Sequence, residues 1–147
     1  MSASTSTNEE VRNCFMFFLP DDGGGEKSGS RDVQIMNLLS GRLGTQGFQV
    51  SGARPGKPRG AVSTIKFDGH NVTVWLVATR IGELVRCDVL TWSHKARWRR
   101  IYPQVIADEL EQVCAALEKI LRLDPKASSL ARLTEDEFDE LTIKAGY

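Results

Sequence analysis

The chain has 147 residues, 41% of them apolar and 26% charged, with 19 basic and 19 acidic side chains. That length suits one domain with a sizeable core, and the composition excludes a disordered tail, a collagen or a coiled coil. No apolar run approaches the roughly 18–20 residues that cross a bilayer, and a net charge of zero excludes a polycation.

Residues 1–11 begin MSASTSTNEE, small, polar and acidic, without the basic start and apolar stretch of a secretory signal. They read as a flexible lead-in to a cytoplasmic protein, with a single domain over 12–147. Residues 12–19, RNCFMFFL, form a nearly continuous apolar run, the pattern of a strand covered on both faces. The loop PDDGGGEKSGS follows. It departs from the Gly-x-x-x-x-Gly-Lys-Ser/Thr spacing of a phosphate-binding loop, and its acidic residues would repel a triphosphate. No cofactor site is read there.

Ser30 caps a predicted helix over 31–43, with Val33, Met36, Leu39 and Leu43 on its apolar face and Gly44 at its end. Phe48–Ala53 reads as a second strand, and SGARPGKPRG, 51–60, as a loop or sheet edge. Then AVSTIKF, VTVWLVATR and LVRCDVLTW read as a three-strand meander. Its turns are placed on Asp68-Gly69-His70-Asn71, with Asp68 paired to Asn71, and on Ile81-Gly82, with Arg80 paired to Glu83. Both turns then put Ile65, Val74, Leu76, Cys87 and Val89 on one apolar face. The opposite face is mixed, with Trp75 placed between Thr64 and Asp88. Either it is exposed or the first helix covers it.

A long helix follows, with Trp98, Ile101, Val105, Leu110, Val113 and Leu117 among its apolar positions, Pro103 in its first turn and its end before Pro125. It is expected to cover the apolar face of the meander. Thr134-Glu135-Asp136-Glu137 matches a capping box that starts a short helix over about 135–144. The fold class is therefore α+β: a two-layer sandwich in which a mainly antiparallel sheet packs against helices.

Few residues suggest catalysis. Cys14, Cys87 and Cys114 form no Cys-x-x-Cys pair and sit in apolar patterns, so they read as buried reduced thiols without a metal. The two histidines, His70 and His94, belong to no Gly-x-Ser-x-Gly, His-x-x-x-His or His-Glu-x-x-His arrangement. The balance is against an enzyme. Charge is more informative. Residues 42–100 carry 11 basic and 3 acidic side chains between acidic ends.

The leading expectation is a non-catalytic protein-binding domain. It would be a small bacterial immunity protein, inhibitor or chaperone-like protein that occludes an acidic partner. The chain resembles toxin-immunity proteins in size, compactness and lack of catalytic machinery, and no motif carries the likeness further. Trp75, Leu90 and Trp92 would be anchors, with Arg86, Asp88, Lys95, Arg97 and Arg99 as polar contacts. The alternative is nucleic-acid binding through Arg54, Lys57 and Arg59 together with Lys95, Arg99 and Arg100, which flank Trp98. A homodimer through the mixed face is the third reading.

Overall fold

The computed structural model describes residues 12–21, 30–56, 59–68, 70–93 and 104–144. They form seven strands and three helices: β1 (Cys14–Pro20), α1 (Ser30–Thr45), β2 (Gln49–Val50), β3 (Arg54–Pro55), β4 (Ala61–Phe67), β5 (His70–Ile81), β6 (Leu84–Ser93), α2 (Gln104–Leu123), β7 (Ser128–Leu133) and α3 (Glu135–Lys144). The architecture is α+β, as the sequence indicates. One antiparallel sheet has the order β2-β4-β5-β6-β1-β7, with β3 also pairing β4.

α1 and α2 cover one face of the sheet. Met36, Leu39 and Leu43 of α1 and Leu110, Val113 and Leu117 of α2 share a buried core with Phe15, Phe17, Ile65, Val74, Leu76 and Val89. Every second strand residue therefore meets a helix, and burial of these aliphatic and aromatic groups drives the layers together. Buried polar groups between the layers are bonded. Ser40 and Ser63 hydroxyls meet at 3.0 Å, and Ser63 donates to the Ser51 carbonyl at 2.7 Å. β5 outruns β4 beyond the Leu76–Ala61 pair, and the Asp32 carboxylate of α1 accepts the Ala78 N–H at 3.0 Å just past that point. Burial, the dominant cause, raises the Asp32 pKa against the Ala78 bond and the charges of Arg59 and Arg31.

Helix ends follow local chemistry. α1 runs two residues past the expected stop, and its terminal glycine is Gly47 rather than Gly44. Gly47 has φ +101°, with Phe48 N–H bonding the Leu43 carbonyl and Gly47 N–H the Gly44 carbonyl. That is a Schellman end, which needs the left-handed residue one step after the cap. α2 stops at Leu123, before Pro125. α3 starts with the expected capping box. Glu137 N–H donates to Thr134 Oγ1 at 3.2 Å, and Thr134 N–H donates to Glu137 Oε1 at 2.9 Å.

The meander forms with the expected faces but a different register. Phe67 pairs with His70 and Ile65 with Val72. In the second hairpin Ile81 pairs with Leu84 and Ala78 with Cys87. Both two-residue loops sit one position from where the sequence reading put them. Moving such a loop by one residue slides the partner strand by two, which preserves the faces. Gly82, at φ +62°, takes the first loop position of the second hairpin, the place of glycine in a type II′ turn.

Two other elements differ from expectation. The second strand is split into β2 and β3, both on the β4 edge, around the Ser51–Ala53 stretch. β7 was not expected. Its sequence SSLARL has no β-branched or aromatic residue, and it becomes a strand by pairing along β1. Arg132 ties it to α2 through Glu111 at 2.6 Å and Glu118 at 3.2 Å. The residues 1–11 and the 22–29 loop lie outside the described residues, as does the 94–103 segment with Lys95, Arg97, Trp98, Arg99 and Arg100. Among the described residues no helix is long and apolar enough to cross a membrane.

Candidate protein-binding face

The strand order assembles a surface from five strands on the side away from α1 and α2. Val62 pairs with Trp75, Trp75 with Leu90, Leu90 with Cys14, and Cys14 with Leu133. Direct partners share a face, so these five apolar side chains form one row across β4, β5, β6, β1 and β7. Beside it runs Val77, Asp88, Met16 and Ala131, and then Thr79, Arg86 and Phe18. On the other side Trp92 pairs with Thr73, which pairs with Thr64. Of the helices, α3 packs against β1 and β7. The first helix does not cover this face, yet the face is not simply exposed, since Cys14, Thr73 and Val77 on it are buried.

Trp75 is half-buried and held. Its indole N–H donates to the Arg59 carbonyl at 3.0 Å, and Gly56 N–H closes on the Gly60 carbonyl at 2.8 Å. Both glycines touch the ring's edge closely: a Cβ on Gly60 would stand 2.9 Å from Trp75 Nε1, and one on Gly56 would stand 3.3 Å from Cδ1. Trp75 therefore lies between Val62 and Leu90 rather than between Thr64 and Asp88. Leu90 and Trp92 are half-buried as well.

Arg86 and Asp88 have another place than the sequence reading gave them. They are 9% and 2% exposed, and Arg86 Nε donates to Asp88 Oδ1 at 3.1 Å. Two positions apart on β6, they share a face and neutralise each other inside the protein, so they are not surface contacts for a partner. The exposed cations of this face lie at its β3–β4 edge. Arg54, opposite Val62, donates to Thr64 Oγ1 at 3.1 Å, and Arg59 and Lys66 are also exposed. Arg54 and Arg59 are the described members of the nucleic-acid set; Lys57 lies outside the described residues with the 95–100 cations.

The chain matches no protein-family model, no curated protein and no solved structure.

The reactive side chains offer little chemistry. Cys14, Cys87 and Cys114 are free thiols buried in the structure. Burial, reinforced by Asp88 and Asp32, pushes the Cys87 pKa far up. Burial also pushes Cys114 up to about 11 against its contact with Thr91. A thiol held protonated is a poor nucleophile and a poor ligand. Among the described residues no cluster of three or more His, Cys, Asp or Glu could hold a metal ion. What the face presents is the half-buried Val62, Trp75, Leu90 and Trp92 with a cationic edge beside them. Sequence reading found Trp75, Leu90 and Trp92 but missed Cys14, Met16 and Leu133, because their place on this face exists only once β1 lies between β6 and β7. The alternation Cys14, Met16, Phe18 was the available signal.

Proposed function

We propose that this protein is a non-catalytic binding domain that grips an acidic protein partner with the sheet face opposite α1 and α2. It would act by occlusion, as an inhibitor or chaperone-like protein does. The observation that carries this reading is the half-buried group Val62, Trp75, Leu90 and Trp92 ending beside exposed Arg54, Arg59 and Lys66. An apolar centre with half-buried tryptophans supplies anchors, and a rim of one charge sign supplies orientation and on-rate. The internal pairing of Arg86 with Asp88 supports the same division, since it leaves the rim to carry the charge.

The test is affinity capture from native lysate, with and without nuclease, using the wild type, Trp92→Ala and Arg54→Glu/Lys66→Glu. A protein retained stoichiometrically after nuclease and lost from both variants supports the reading. Partners released by nuclease would replace it with nucleic-acid binding. Retention by both variants would remove this face from the interaction. Self-association seen by light scattering, lost in Trp92→Ala, would make the occupant a second copy.

A further inference from the structure

A second site lies on the helix-covered side of the molecule and does not depend on the sheet face. We propose that the groove between α1, the β1–β6 end of the sheet and the α2–β7 turn binds an anionic aliphatic ligand of the medium-chain carboxylate class. The groove encloses about 400 Å³, within the range of small-molecule pockets of about 300–1,000 Å³. Its apolar wall is Leu19, Ile35, Leu38 and Val85, with no aromatic side chain among the lining residues. That wall suits a flexible alkyl chain rather than a stacked ring. Leu38 is 61% exposed here.

The charges select the ligand's head group. Arg31, Arg42, Lys126 and one carboxylate, Asp124, line the groove. Arg31 meets Asp21 at 3.2 Å, a carboxylate that Arg80 also meets at 2.8 Å, and Arg42 meets Asp124 Oδ2 at 3.0 Å. Lys126 makes no ion pair with any described residue. Lys126 leaves the groove with positive charge in excess, which calls for an anionic head group. It is also positioned: Asp124 Oδ1 accepts the Lys126 N–H at 2.9 Å, and Ala127 N–H bonds the Asp124 carbonyl at 3.2 Å. The same carboxylate thus fixes both Arg42 and the turn that carries Lys126, which lowers the ordering cost of binding.

Sodium decanoate, below its micellar concentration, should be titrated into the isotope-labelled full chain and followed by amide NMR. Octanoate and decyltrimethylammonium serve as probes of chain length and charge. The expected result is saturable shifts confined to Leu19, residues 31–42, Val85, Asp124 and Lys126. Decanoate should bind about tenfold more tightly than octanoate, as two more buried methylenes require. Lys126→Glu should weaken binding about tenfold, and Leu38→Asp should abolish it. Both side chains are exposed, so unchanged spectra elsewhere will show the fold intact. Equal affinity for decyltrimethylammonium, binding unchanged in both variants, shifts at Trp75 and Trp92 instead, or no saturable shift would each overturn the proposal.

Discussion

Arg86 and Asp88 lie two residues apart on β6, both buried, with Nε and Oδ1 3.1 Å apart. Removing one member takes a counter-charge from a buried ion. Replacing both removes the desolvation penalty along with the attraction. Asp88→Leu or Arg86→Met alone is expected to cost about 3–5 kcal/mol, and Arg86→Met/Asp88→Leu far less, close to neutral. Urea unfolding of the four proteins of this double-mutant cycle measures the coupling. Additive losses would mean that the pair is not one unit.

Gly60 is the point at which the chain crosses the edge of Trp75. Its φ is +88°, and a Cβ there would lie 2.5 Å from the Leu76 carbonyl oxygen. That oxygen belongs to the β5 backbone and cannot swing aside. Gly60→Ala should therefore cost about 1–3 kcal/mol and loosen Trp75, seen as a red shift of tryptophan fluorescence. Gly41, inside α1, meets nothing within 4 Å. Gly41→Ala should stabilise by about 0.5–1 kcal/mol through helix propensity. The two substitutions must have opposite signs in the same thermal melt.

Those two glycines also show what a sequence conveys. Local signals read well: the capping box at Thr134, the stop of α2 before Pro125, and the alternation that puts Ile65, Val74 and Val89 on one face. Each depends on neighbours within a few residues or on a period of two. Register was readable only modulo two residues, since both hairpin loops could move one place without exposing the core. β7 was not readable, because SSLARL is a strand only through its partner β1 and through Arg132 on Glu111 and Glu118. The binding face shares that difficulty. Trp75 and Trp92 are conspicuous in the sequence, but Cys14 and Leu133 join them through strand order, which is a long-range property.

The three cysteines should be silent in the native state. Each is buried, and Cys87 and Cys114 are held protonated well above the ordinary thiol range. At pH 8, Ellman's reagent should label none of them on the timescale of minutes and all three in denaturant. Fast labelling of one thiol in the folded protein would show that its cover opens. The Cys14 rate would then report on the sheet face directly, since Cys14 lies in the row with Trp75 and Leu90.

Acid should weaken the attachment of α3. The Thr134 N–H and then the Arg12 guanidinium, 2.9 Å away, hold the Glu137 pKa below the usual glutamate value. A carboxylate whose pKa is lower folded than unfolded stabilises the fold above its unfolded pKa of about 4.3. That contribution disappears as the pH falls through the folded value. Glu137→Gln should therefore be less stable than the wild type at pH 7, with the gap closing below pH 4. Thr134→Ala, which removes the other half of the box, should cost about 0.5–2 kcal/mol, because the Glu137 N–H loses its acceptor. Asp32 has the opposite sign. Its raised pKa means that ionisation costs stability, so its contribution is greatest below the unfolded value and is lost as the pH rises through the folded one. Asp32→Asn keeps an acceptor for the Ala78 N–H and should be no less stable than the wild type at pH 7. Urea midpoints at pH 7 and pH 3 separate the two: a Glu137→Gln gap that persists at pH 3 would assign the loss to packing rather than charge.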